Sequence, residues 1–154
     1  MRAEMLKLRP YQPGDFETLY EIDHACYEPA IAYSRHDLNS YIHAPGADCL
    51  VAEADGEIAG FIVSEQAGTF GYIVTIDVLE AHRRLGVGTM LLNESERKLA
   101  ANGVREVTLE TATDNASTVA FWEKHGYRTR SLKKGYYPGG RDAFDMIKSL
   151  VVNS

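Results

Sequence analysis

The sequence predicts one α/β domain built on a mixed sheet, and three observations predict it. Strand-like and helix-like apolar patterns alternate in the order β-α-α-β-β-β-α-β-α-β-β along 154 residues. Tight-turn signals at Asp55-Gly56 and Pro138-Gly139-Gly140 put antiparallel hairpins toward both ends. The helical stretches between the middle strands read as crossovers, which make part of the sheet parallel. At 154 residues, 45% apolar and 25% charged, the chain suits a single domain over 1–154. A chain of this size buries a core without disulfides or a structural metal.

Taken in order, Met5 to Arg9 is a short strand stopped by Pro10 and Pro13. Asp15 caps a helix that carries Phe16, Leu19, Ile22 and Cys26 at helical spacing, with Glu17, Glu21 and Asp23 expected to face solvent. Ser34, with Asp37 three residues on, opens a second helix. Leu50 to Ala54 and Ile58 to Glu65 flank the Asp-Gly turn, and Tyr72 to Val78 is a third strand rich in β-branched residues. A helix runs from Gly86-Val87-Gly88 to Ala101 and stops at Asn102-Gly103. Val104 to Glu110 follows as a buried strand, and Asn115 starts a helix ending at His125-Gly126. Tyr127 to Tyr137 and Ala143 to Leu150 close the chain as a hairpin.

Charge and composition narrow the function. A net charge of −6 argues against nucleic-acid binding by overall field. No apolar run approaches the ~20 residues that span a bilayer, and the opening Met-Arg-Ala-Glu-Met-Leu-Lys-Leu lacks a secretory core. Cys26 and Cys49 cannot supply a disulfide framework, so reduced core thiols and a cytoplasmic location are expected. The five histidines show no metal-ligand spacing, and no metal is expected.

The segment that bears chemistry runs from Ile73 to Thr89. A strand leads into Arg83-Arg84-Leu85, then Gly86-Val87-Gly88, then a helix. Free N–H groups at a helix start, two arginines and small residues suit a bound pyrophosphate. A P-loop is excluded because no lysine follows Gly88, and a dinucleotide fingerprint because Leu91 stands where its third glycine would. An ordinary glycine turn with solvated arginines also accounts for this segment.

Arg83-x-x-Gly86-x-Gly88 resembles the acetyl-CoA signature of the GNAT N-acetyltransferase superfamily. Leu109-Glu110-Thr111, Asn115 and Phe121-Trp122-Glu123-Lys124-x-Gly126-Tyr127 resemble its next strand and helix. Gly135-Tyr136-Tyr137-Pro138 with Arg141-Asp142-Ala143 resembles the hairpin of its protein N-terminal acetyltransferases, of the ribosomal-protein alanine type. The resemblance implies a GNAT fold, a seven-stranded sheet splayed between strands 4 and 5, with acetyl-CoA in the opening.

By that resemblance the backbone of Ile76 and Val78 holds the pantetheine with Asp77 between them in the cofactor-binding set, and an N–H near Ile76 or Val78 polarises the thioester. Arg83, Arg84, Leu85, Gly86, Val87, Gly88 and Thr89 take the pyrophosphate. Asn115 bonds the cofactor arm, or simply caps its helix. Glu110 matches the catalytic glutamate; the alternative is a strand-end salt bridge. Trp122 belongs to the cofactor-binding set but stands where many relatives have a tyrosine that protonates the leaving thiolate, which an indole cannot do. Tyr136 and Tyr137 line the acceptor slot, supply a substitute phenol, or merely pack. The basic run Arg128, Arg130, Lys133 and Lys134 is a solvated strand face or meets an acidic segment or the cofactor's 3′-phosphate. The expected acceptor is the α-amine of a protein or peptide N-terminus. A small-molecule amine, and a non-catalytic acyl-CoA-binding module, remain open, as does monomer or homodimer.

Overall fold

The computed structural model describes residues 5–151. The outer limits of the expected domain, and the first four residues of the stretch read for a leader, lie outside the described residues. The elements are β1 (Leu6–Pro10), α1 (Phe16–Cys26), α2 (Arg35–His43), β2 (Ala47–Ala54), β3 (Glu57–Ala67), β4 (Phe70–Val78), α3 (Val87–Ala101), β5 (Glu106–Ala112), α4 (Ala116–Lys124), β6 (Arg128–Tyr137) and β7 (Arg141–Ser149). Short 3-10 turns precede α1 (Pro13–Asp15) and α3 (Glu80–Leu85).

The strands form one seven-stranded sheet in the order β1-β2-β3-β4-β5-β7-β6. All neighbours are antiparallel except β4 and β5. Period-2 alternation sends side chains of one strand to two cores. Leu50, Ala52 and Ala54 of β2 join Leu91, Leu92 and Leu99 of α3. Cys49 and Val51, with Phe61 and Val63 of β3, meet Leu19 and Ile22 of α1 and Leu38 and Ile42 of α2. The sheet is thus covered on both faces.

Two backbone devices shape the middle of the sheet. Asp55 and Gly56 both take positive φ, 51° and 87°, as a two-residue hairpin turn requires. In β4, Ser64 pairs with Ile73 and Val63 with Thr75, which leaves Val74 as an extra residue. Such a bulge bends its strand. Here β4 pairs with β5 only over Phe70–Tyr72 against Glu106–Thr108 and then parts from it.

The caps fall where the sequence places them, with one change of partner. Ser34 Oγ accepts from Asp37 N at 3.1 Å. Asp15 occupies the N-cap position of α1, but its side chain makes no cap bond there. It accepts instead from Gln12 N at 2.8 Å and from both terminal nitrogens of Arg9 at 2.8 and 2.9 Å. The Arg9 guanidinium holds this carboxyl below the usual range. A depressed folded value stabilises above the unfolded one, about 3.9, and the benefit fades as pH falls through the lower folded value. Asp15→Asn is therefore expected to cost about 1.5–3 kcal/mol at neutral pH. Urea unfolding should show the gap from the parent narrowing below about pH 4.

Candidate active site

Where β4 and β5 part, a cavity of about 390 Å³ opens. Its walls are β4 and β5, the segment between α1 and α2, the start of α4 and the β6–β7 hairpin. Beyond Tyr72 the carbonyls of β4 take donors other than β5. Val74 O accepts from the Tyr33 hydroxyl at 3.2 Å, Ile76 O from the Tyr27 hydroxyl at 3.0 Å, and Val78 O from Arg83 Nε at 2.9 Å. Alternate residues of a strand aim both backbone groups the same way, so the N–H groups of these residues lie on that edge too.

Glu110 stands at the fork. Strand β5 runs two residues past it, so it is not the strand end the sequence suggested. Its side chain is 9% exposed, and Lys133 Nζ lies 3.7 Å from its Oε2. Its Oε1 accepts from the Tyr72 hydroxyl at 2.6 Å and the Tyr136 hydroxyl at 2.8 Å. Burial first, and the Glu110 bond second, push both phenols upward, Tyr136 to about 12. They therefore remain O–H donors at ordinary pH.

Tyr136 thus reaches the carboxylate itself, and Tyr137 stacks edge-on against it with ring centroids 4.9 Å apart. Tyr72 was missed by sequence reasoning. It pairs with Thr108, and Glu110 is two residues further along β5 on the same face. That parallel register was the missing signal.

The other expected residues divide. Ile76, Asn115 and Trp122 line the cavity; Asp77, Val78 and Arg83 through Thr89 do not. Asn115 caps α4, its side chain accepting from Thr118 N at 3.2 Å. Trp122 is 4% exposed and packs edge-on between Phe121 and Tyr127, at 5.2 Å from each.

Gly86 takes φ 78° between the 3-10 turn and α3. Gly88 owes its lack of a side chain to packing, because a Cβ there would lie 3.2 Å from the Phe121 ring. The basic run is exposed along β6, as a solvated strand face would be, and two of its members face carboxylates. Arg130 pairs with buried Asp145 at 2.9 Å and Lys133 faces Glu110.

Asp77, between Ile76 and Val78, is 1% exposed and does not line the cavity that Ile76 lines. One assignment needs correction. Asp23, expected in solvent, is fully buried because it shares the inward face of α1 with Leu19 and Ile22. Cys49 is buried and Cys26 half-buried, both free, and burial pushes their thiols up to about 12 and about 11. Among the described residues no cluster of three or more His, Cys, Asp or Glu could hold a metal ion. Among them, too, no helix is long and apolar enough to cross a membrane.

At the rim, Arg141 joins three parts of the wall. Its Nη1 lies 2.8 Å from Glu28 Oε2 and its Nη2 2.6 Å from Asp114 Oδ1. The hairpin is thereby tied to the α1–α2 segment on one side and to the β5–α4 loop on the other.

Over residues 16–127 the chain matches the Acetyltransferase (GNAT) family. It is 34% identical over 113 residues to an N-alpha-acetyltransferase of Sulfurisphaera tokodaii, covering 65% of this chain and 68% of the relative. The crystal structure of the ribosomal-protein-S18-alanine N-acetyltransferase from Escherichia coli is similar with a TM-score of 0.87 at 22% identity, over 97% of both chains. Ard1 from Thermoplasma volcanium gives a TM-score of 0.85 at 25% identity, over 96% of this chain and 99% of that one. NAA60 of Arabidopsis thaliana in complex with acetyl-CoA gives 0.82 at 20% identity, over 95% and 99%. The forked sheet is that of an acyltransferase, and the chain belongs to the acetyltransferase (GNAT) family.

Proposed function

We propose that this protein moves the acetyl group of acetyl-CoA to the α-amine of a peptide or protein N-terminus. One observation carries the reading: a carboxylate held by two phenols at the point where the sheet forks, inside a cavity walled by the Tyr136-Tyr137 hairpin. Relatives named N-alpha-acetyltransferase support it.

The residues present suit coenzyme A. The edge of β4 offers backbone groups at Val74, Ile76 and Val78, and the carbonyls of Val74 and Ile76 keep a second lone pair. Arg84 and the first N–H groups of α3 suit the diphosphate, while Arg83 already braces the end of β4. Asn115 keeps its amide N–H groups for the pantetheine arm, since its cap bond uses the oxygen. Acetyl-CoA supplies an activated thioester carbonyl.

The acceptor arrives largely as an ammonium ion, with an α-amino pKa of about 7.7–8.0. Glu110 takes one proton from it, directly or through a water. The freed nitrogen bonds to the carbonyl carbon, the carbon–sulfur bond breaks, the coenzyme leaves as thiolate, and the nitrogen sheds its second proton to that thiolate or to water as the amide forms. A thiol with pKa near 8.5 is a good enough leaving group to depart without a dedicated acid, which fits Trp122. Tyr72 and Tyr136 keep the carboxylate aimed.

Thiol release from acetyl-CoA with a panel of free and N-terminally blocked peptides and small amines tests this. Free peptides should turn over and carry the new acetyl group on the α-nitrogen by mass spectrometry, and blocked ones should not. Turnover of small amines alone, or of nothing, overturns the assignment.

A further inference from the structure

Asp23 and Asp77 have no place in that chemistry, yet they are 0% and 1% exposed. Asp23 lies on the last turn of α1 and Asp77 on β4 beyond its bulge. One oxygen of each has a donor: Asp23 Oδ2 accepts from Tyr33 N–H at 2.7 Å, and Asp77 Oδ1 from the Thr75 hydroxyl at 2.5 Å. The other two, Asp23 Oδ1 and Asp77 Oδ2, are buried and reached by no N–H or hydroxyl. With α1 packed on β4, the two buried carboxyls face each other.

Two carboxylates in contact and out of water repel strongly, and such pairs persist by keeping one proton between them. The neighbours leave that as the solution. Arg83, the cation facing Asp77, gives its Nε–H to the Val78 carbonyl. Cys26 and Tyr27 from the end of α1, Tyr33 from the following segment and Cys49 from β2 face the pair, and burial holds each of them in its neutral form.

We propose that Asp23 and Asp77 share a single proton and act as positioning residues, clamping the Tyr27–Tyr33 wall of the cavity to the strand that forms its cofactor side. The clamp has three fastenings. Tyr33 gives its N–H to Asp23, and the hydroxyls of Tyr33 and Tyr27 reach Val74 O and Ile76 O on β4. The shared proton supplies the link from α1 to β4 that both Tyr contacts depend on for register. As the role concerns the acceptor wall, it rests on the function proposed above.

The sign follows from where the proton sits. Burial and the partner carboxyl raise Asp77, so the folded state retains a proton that the unfolded chain has lost. The link is intact below the raised folded value and is lost as pH rises through it. Wild-type acceptor KM should climb on the alkaline side. Asp77→Asn keeps a donor toward Asp23 and has no proton to lose, so its KM should stay flat with pH. Asp77→Ala, lacking the link, should raise acceptor KM about tenfold at every pH, the equivalent of ~1.4 kcal/mol.

Two readouts need no turnover. Infrared spectroscopy of the wild-type protein over a pH series should show the C=O stretch of a protonated carboxylic acid, fading as pH rises, that Asp77→Asn removes. Hydrogen exchange at the Tyr33 amide should accelerate with pH beyond its intrinsic rate in the wild type but not in Asp77→Asn. Absence of the acid band, or wild-type and Asp77→Asn exchange rising together, overturns the proposal. A chain that acetylates no peptide but shows both signals sinks the acceptor reading and leaves the clamp standing.

Discussion

Replacing Glu110 with glutamine is expected to lower kcat by roughly 10²–10⁴-fold, the range general acid–base catalysis supplies. The Kd for acetyl-CoA should stay within about twofold, because an interaction used only in the transition state leaves ground-state binding alone. The amide can still accept from Tyr72 and Tyr136 through its oxygen, so the local geometry survives. What it cannot do is receive the acceptor's proton, and its NH₂ would face the Lys133 ammonium instead of attracting it. Tyr72→Phe and Tyr136→Phe each remove one donor to a charged group and should cost about tenfold or more. The two phenols are held in their O–H form by burial and by the carboxylate, Tyr136 up to about 12. Any alkaline decline well below that pH therefore has another source. Steady-state thiol release with calorimetry of acetyl-CoA binding measures both quantities. An unchanged kcat in Glu110→Gln would remove this residue from the mechanism.

Trp122→Ala should be the most damaging single truncation near the cavity, costing about 3–5 kcal/mol of folding stability. The indole is 4% exposed, belongs to the core formed by α3 and the sheet, and also lines the cavity. Deleting it removes edge-on contacts with Phe121 and Tyr127 and leaves a void that two rings cannot close by small shifts. Phenylalanine refills most of that volume and should recover most of the loss. Urea unfolding of the three proteins decides it, and a loss under about 1 kcal/mol for alanine would mean that the site collapses freely.

Much of this was legible in the sequence wherever the cause is local. Asp55-Gly56, Ser34 and Gly103 each mark a boundary because the backbone there needs a particular conformation or cap, and each does so in the structure. The strands were read short, starting at Leu50 and Tyr72 rather than Ala47 and Phe70, because Asp48 and Gly71 weaken the apolar pattern without stopping the ladder. Features that depend on register were not legible. The bulge at Val74 lies inside a run that reads as regular strand, and the Tyr72–Glu110 contact exists only through the parallel pairing of distant segments. Asp23 is a different case. Leu19, Ile22 and Asp23 sit at i, i+3 and i+4 on one helix face, so position pointed inward while residue type pointed outward. A charged residue on an apolar face called for a partner.

The short ladder between Phe70–Tyr72 and Glu106–Thr108 has a mechanical consequence. It leaves β1–β4 and β5–β7 as two leaves hinged at one end, with few rungs to carry load between them. A ligand seated in the fork would complete the missing rungs, binding to both leaves at once. Occupancy would then stiffen the protein as a whole, and stability would rise with ligand concentration, by about 2.7 kcal/mol at a hundred times Kd. Enzyme and substrate would in that sense share one continuous sheet.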